Sequence, residues 1–173
     1  MANARGCCPT PMPEPEPKAE TRLKRMAASA VFFDRQGRLL CVKPTYRSDW
    51  LLPGGMVELE ESPLAACRRE VAEEVGLDIE IGRMLCVDYR STDDELKETL
   101  FMVFWGGELS DAQIARIKLQ PEEISEHRFV PVPEALAILA PRLALRMKLT
   151  LQVLTTGETL YLENGSIPHA TEY

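Results

Sequence analysis

The stretch "GGMVELEESPLAACRREVAEEVGL", Gly54–Leu77, decides how this chain is read. A double glycine opens it, and six glutamates follow: Glu58, Glu60, Glu61, Glu70, Glu73 and Glu74. Ser62-Pro63 has the form of a helix N-cap with proline at the first helical position. Gly76 has the form of a residue that ends a helix. The segment between them is therefore a predicted helix. At about 100° per residue, Leu64, Cys67, Val71 and Val75 share one face, which is the core face. Glu74 lies beside that face, Glu70 next to it and Glu73 further round. The carboxylates crowd the edge of the buried stripe instead of spreading over the solvent side.

Left alone, that arrangement is unfavourable. Glu70 with Glu74 (i,i+4) and Glu70 with Glu73 (i,i+3) are like-charge pairs, each costing an isolated helix about 0.2–0.5 kcal/mol. Glu73 and Glu74 also sit at the C-terminal end, where the helix dipole disfavours anions. Arg68 and Arg69 do not balance the group, so it calls for a cation. All the ligands on offer are hard oxygens, with no histidine or thiolate placed to join them. That chemistry favours Mg²⁺, with Mn²⁺ as the alternative, over Zn²⁺ or Cu²⁺. Mg²⁺ held by a few carboxylates keeps several waters and commonly shares a substrate phosphate. Metal, water and phosphate together point to metal-assisted hydrolysis of a phosphoanhydride. An ion-paired surface helix is the plainer reading of the acidic residues taken alone.

The spacing Gly55, five residues, Glu61, seven residues, Arg69-Glu70-Val71, one residue, Glu73-Glu74, one residue, Gly76-Leu77 resembles the Nudix box at every defined position. The preceding "WLLPGG", Trp50–Gly55, is also similar to that family. The resemblance implies a Nudix fold, an α/β/α sandwich of α+β class around a mixed sheet. It implies a metal-dependent pyrophosphohydrolase cleaving a nucleoside diphosphate linked to another moiety by metal-activated water. Carried over residue by residue, Glu70 and Glu74 would be metal ligands and Glu73 would bind directly or through water. Gly55 would offer its backbone carbonyl to the metal, Arg69 would orient the glutamates, and Glu61 would support the same network. The general base differs among family members. It would be a box glutamate or a distal carboxylate, here Glu122 or Glu123, with Glu126 third, in "PEEISEH".

Working outward, the 173 residues suit one domain with extra length at its ends. The net charge of −7 gives no basic footprint for duplex nucleic acid or an anionic membrane surface. No apolar run reaches 18 residues, so no membrane span is expected, and the start lacks the apolar core of a secretory signal. The five cysteines match no zinc spacing and read as reduced thiols of a cytoplasmic protein. Residues 1–22, with prolines at alternate positions from Pro9 to Pro17, read as a disordered tail. A domain is expected over 23–155. Within it "MAASAVFFD" and "LLCVK" form a hairpin through "DRQGR". "IGRMLCVDY" and "ETLFMVFW" form two more strands, the second ended by Gly106-Gly107. "SDAQIARI" is a short helix capped by Ser110, and 133–155 a helix broken before Pro141. Residues 156–173 read as a C-terminal tail with a small hairpin at Asn164-Gly165. This order is mixed, as a mixed sheet with helices packed on it requires.

For substrate contacts, the loop "KPTYRSDW" offers Tyr46 to stack on a base and Arg47 to grip a phosphate. Trp50 reads as core, and Tyr89, Arg90 and the acidic loop after them read as a plain hairpin loop, with a border of the site as the alternative. The expected partner is a small nucleoside diphosphate derivative: a nucleotide sugar, ADP-ribose, a dinucleoside polyphosphate, or a normal or oxidised nucleoside triphosphate. The broad apolar arc over 143–154 fits either a well-buried helix of a monomer or a homodimer interface. Two competing readings are a nucleotide-sensing module on the same fold without turnover and an isomerase of an isoprenoid diphosphate.

Overall fold

The computed structural model describes residues 24–91 and 97–168. The expected N-terminal tail, Cys7, Cys8, the loop residues 92–96 and His169 lie outside the described residues. In chain order the elements are β1 (Arg25–Asp34), β2 (Arg38–Pro44), β3 (Gly54–Met56), α1 (Pro63–Val75), β4 (Met84–Arg90), β5 (Thr99–Leu109), α2 (Asp111–Ile114), β6 (Ile124–Pro131), α3 (Val132–Ile138), α4 (Pro141–Thr150), a 3₁₀ turn (Leu151–Leu154) and β7 (Leu160–Glu163). One mixed sheet runs β6-β2-β1-β5-β4-β7, and β3 pairs with β1 off that path.

The period-two pattern of the strands sends alternate residues to two cores. On one face Ala28, Ala30 and Phe32 of β1 and Leu40 and Val42 of β2 pack with Cys67, Val71 and Val75 of α1. On the other, Val31, Leu39 and Cys41 pack with Ala135 of α3 and Met147 of α4. The result is the expected α/β/α sandwich. Cys41, Cys67 and Cys86 are free and buried, and burial pushes the thiols of Cys41 and Cys67 up to about 12. Among the described residues no helix is long and apolar enough to cross a membrane.

The β1–β2 hairpin is closed by Asp34, whose carboxylate accepts from the backbone N–H groups of Gln36 and Arg38 and from the Arg38 guanidinium. Its arms diverge at once. Only Phe33 and Leu39 are in register, and β2 goes on to pair with β6. The first half of β1 thereby keeps an open edge, which β3 fills with Ala27 opposite Met56, Ala28 opposite Gly55 and Ser29 opposite Gly54. This split in the sheet brings the double glycine into the centre of the fold.

The Gly106-Gly107 pair does not end β5, as expected from sequence. The strand runs on to Leu109 through a bulge opposite Val31 and Phe32. A Cβ at Gly106 would fall 2.2 Å from the Phe32 ring, so glycine is what lets the strand pass a buried aromatic. The stretch expected as a C-terminal tail supplies β7, parallel to β4, with Leu162 fully buried. A turn at Asn164-Gly165 then joins Glu163 to Ser166. Alternation in "TLYLEN" is too short to declare a strand when its partner lies more than 70 residues back.

Candidate active site

α1 presents its acids as its spacing requires. Ser62 Oγ accepts from Ala65 N–H at the N-terminus, and Gly76, at φ 70°, donates back to the Ala72 carbonyl at the C-terminus. Glu74 is buried at 7% exposure, whereas the Glu73 side chain is half exposed. The Gly54 N–H donates to Glu74 Oε2 at 2.8 Å. Gly55 lies against the neighbouring acid, and a Cβ there would meet the Glu70 carboxylate at 2.4 Å.

The third carboxylate comes from the far side of the sequence. Lys118 N–H donates to the Val75 carbonyl and Gln120 N–H to the Glu74 carbonyl, so the 118–124 loop hangs from the open end of α1. Thr45 clamps the same loop from the other side. Its N–H donates to the Glu123 carbonyl at 2.8 Å and its hydroxyl to the Glu122 carbonyl at 3.0 Å. Glu70, Glu74 and Glu123 thereby bring carboxylate oxygens within 4.8 Å of one another. Glu122 and Glu73 stand outside this group. Glu126 is turned to Arg128 at 2.7 Å, and His127 packs edge-on against Phe129. Sequence offered Glu122 and Glu123 on equal terms, and the register of the clamped loop separates them. Nothing in the sequence marks Thr45 or Gln120 for this part.

The electrostatics are those of an unbalanced anion site. Burial, with Glu70, Glu123 and Glu73 adding repulsion, pushes the Glu74 carboxyl up to about 8 against the pull of the Gly54 N–H. Burial also raises Glu70, although the Arg69 guanidinium opposes it. Arg69 is the hub. It donates to both Glu61 oxygens, to Glu70 and to Glu73 at 3.0 Å, and to the Met56 carbonyl at 3.1 Å. These carboxylates raise its already high pKa, and its guanidinium in turn holds Glu61 below the usual carboxylate range. Arg69 thus fixes the outer acids and leaves the inner faces of Glu70 and Glu74 turned toward Glu123.

Beside the carboxylates lies a cavity of about 770 Å³ whose wall includes Gly54, Gly55, Tyr46 and Arg47. Trp50 is buried, with Lys43 and Arg128 near its ring, and serves the core. Sequence reasoning missed Arg25, Phe101, Arg142 and Arg146, which also line the cavity. Arg25 is on β1, Phe101 on β5, and Arg142 and Arg146 are one turn apart on α4, so no local motif joins the three elements.

A family model for the NUDIX domain matches residues 23–153. The chain belongs to the NUDIX domain family. Its relatives place it among the Nudix hydrolases. It is 32% identical over 107 residues to a MutT-like protein of Streptomyces ambofaciens, covering 60% of this chain and 69% of that one. It is 35% identical over 81 residues to the diphosphoinositol polyphosphate phosphohydrolase 3-alpha of Mus musculus, covering 46% of this chain. There it spans about half of the relative's length, 49%. Among solved structures, the MutT protein of Methanosarcina mazei Go1 superposes with a TM-score of 0.63 at 21% identity, over 82% of this chain and all of that one. The Nudix box, Gly55–Leu77, falls in the β3–α1 unit that carries the carboxylates.

Gly55 gives a direct check on this geometry. In Gly55→Ala the added methyl meets the movable end of Glu70 and not backbone. Stability is expected to fall by no more than about 1 kcal/mol, while turnover falls by about 10² or more as Glu70 is pushed off the site. Urea unfolding and steady-state rates on the same preparation separate the two effects.

Proposed function

We propose that this Nudix hydrolase is a Mg²⁺-dependent pyrophosphohydrolase of a nucleoside diphosphate linked to another moiety, with Mn²⁺ as an alternative metal. The observation that carries the reading is the convergence of Glu70, Glu74 and Glu123, two of them against Gly54 and Gly55, which line a cavity of about 770 Å³. The residues fit a hard divalent cation on three counts. The donors are all carboxylate oxygens, burial and the neighbouring acids push the most buried of them up to about 8, and glycine at 55 leaves room for the Glu70 carboxylate beside it. Glu70 and Glu74 would hold the ion, with the Gly55 carbonyl, and Glu73 would join through water. Such an ion would polarise the phosphates and acidify a nearby water.

The chain's own residues do the rest. Arg69 and Glu61 keep the helix acids in register. Gly54 N–H fixes the Glu74 rotamer. Tyr46 and Arg47, on the cavity wall, would receive the base and a phosphate. Glu123 takes the proton of the attacking water as that water moves in line onto one phosphorus. On this reading Glu123→Gln lowers kcat by about 10²–10⁴. Glu122→Gln, whose carboxylate is outside the group, changes kcat by less than about threefold. Equal losses in the two variants would remove Glu123 from this role.

The activity itself is tested with a panel of nucleotide sugars, ADP-ribose, dinucleoside polyphosphates, and normal and oxidised nucleoside triphosphates. Diphosphoinositol polyphosphates belong in the panel because relatives are named for them. Release of phosphomonoester that stops on chelation is expected. Tight nucleotide binding with no turnover of any compound would instead favour a sensing module.

A further inference from the structure

A ring stacked on a base would leave the hydroxyl of Tyr46 without a use. The residue is 74% exposed and adds little to the core, yet its backbone is fixed at both neighbouring strands. The Thr45 N–H donates to the Glu123 carbonyl at 2.8 Å and the Thr45 hydroxyl to the Glu122 carbonyl at 3.0 Å. Just before them, the Lys43 carbonyl accepts from the Ser125 hydroxyl at 3.0 Å. The end of β2 and the start of β6 are thus stitched together, and Tyr46 leaves the stitch beside Glu123. It also shares a cavity wall with Gly54 and Gly55, the glycines that touch Glu74 and Glu70.

The electrostatics agree with that placement. Burial of the phenol end raises its pKa, and Glu74, Glu123 and Glu70 raise it further, against Arg47. All three acids of the cluster therefore act on this one hydroxyl, yet none accepts from it. Tyr89 and Tyr161 each donate to a glutamate, Glu98 and Glu163. Among the described residues the Tyr46 hydroxyl makes no hydrogen bond. It is a neutral donor held beside anions and left free by them. The same acids keep it protonated, so it offers an O–H and no further negative charge. A phosphate drawn to the carboxylates by a cation would need such donors, because charge grows on its oxygens as the phosphoanhydride breaks. We propose that the Tyr46 hydroxyl is a catalytic group, donating a hydrogen bond to a phosphoryl oxygen of the scissile diphosphate while its ring remains free to meet the base. This rests on the hydrolase reading above and gives the clamped Thr45–Glu123 unit two functional side chains instead of one.

Tyr46→Phe keeps the ring and removes the hydroxyl, whereas Tyr46→Ala removes both. Both variants are expected to melt within about 1 °C of the parent, since the side chain lies outside the core. Tyr46→Phe is expected to lower kcat by about 10- to 100-fold with KM held within about twofold. A Tyr46→Phe enzyme with the parental kcat, whatever Tyr46→Ala does, would leave only the ring with a role and overturn the proposal. A second readout needs no turnover. Tyrosine labelled with ¹³C at Cζ reports on the hydroxyl, and Tyr46→Phe identifies the resonance. In the presence of Mg²⁺, methylenediphosphonate, a diphosphate core without a base, is expected to move the Tyr46 resonance. Adenosine, a base without phosphate, is expected to leave it nearly in place. A resonance that ignores the diphosphonate would also overturn the proposal. No turnover of any compound, with the resonance still moved by methylenediphosphonate, would count against the hydrolase reading alone.

Discussion

Replacing Glu74 by glutamine is expected to remove metal-dependent turnover and, at the same time, to stabilise the metal-free protein. The loss should reach about 10³ or more in kcat, because several kcal/mol of transition-state stabilisation depend on the ion this carboxylate holds. The gain follows from burial. Folded Glu74 titrates near 8, against 4.5 for the free side chain. The folded chain therefore binds a proton that the unfolded chain gives up, and stability from this group falls as pH rises from about 4.5 to about 8. A glutamine keeps an oxygen for the Gly54 N–H and turns an amide toward Glu70 and Glu123 in place of a third negative charge. At pH 8 and without metal, the melting temperature of the variant should exceed that of the parent by about 3 °C or more. The difference should vanish near pH 4.5. Adding Mg²⁺ should raise the parent's melting temperature, more at pH 8 than at pH 6, and leave the variant nearly unmoved. A variant that melts below the parent at pH 8 would mean that the Glu74 carboxylate stabilises the empty fold, and the cation argument would go with it.

Gly54→Ala is expected to give the largest loss of stability of any single change at the site. Gly54 sits at φ 139°, where a side chain is strained whatever the space. There is also no space. The new Cβ would fall 2.3 Å from the Ala28 carbonyl oxygen and 2.4 Å from Ser29 Cα, which are backbone atoms of the central strand. To admit a methyl, β3 must leave β1, and the hydrogen bond from Gly54 to Glu74 goes with it. A cost of about 3–5 kcal/mol follows from strain and overpacking together. Gly37→Ala is the control. It has a positive φ of 71° but nothing within 4 Å, so the conformational cost of about 1 kcal/mol stands alone. Urea midpoints measure both, and similar costs at 37 and 54 would refute the close approach of β3 to β1.

How much of this was legible in the sequence depended on how local the cause was. The acidic helix was readable because its caps, its apolar stripe and its three carboxylates all lie within fifteen residues. Glu74 and Glu70 were placed at the edge of the core by periodicity alone, and Glu74 is buried there. The double glycine opens the acidic stretch with no sign of a strand, yet it forms β3. A three-residue strand has no alternation to detect, and its reason lies in the edge left open on β1. Glu123 and Glu122 could not be told apart, since Thr45 and the α1 carbonyls choose between them across the fold. The cavity wall was the least visible. Arg25, Phe101, Arg142 and Arg146 lie on three separate elements, and only the fold gathers them. Tyr46, expected to stack on a base, is on the cavity wall with 74% of its surface exposed.

The parallel pairing of β1 with β5 has a consequence for how the protein comes to be made. The two strands at the middle of the sheet match Arg25 with Thr99 and Asp34 with Leu109. During synthesis the first of them therefore waits while more than seventy residues emerge. Throughout that wait Val31 and Phe32, destined for opposite cores, have no sheet partner on that side. Closing so long a loop before its contacts repay the entropy puts folding on the millisecond-to-second scale. Folding of the nascent chain is thus gated by the arrival of Leu109, and a ribosome-bound fragment ending before β5 should remain open to protease and to chaperones.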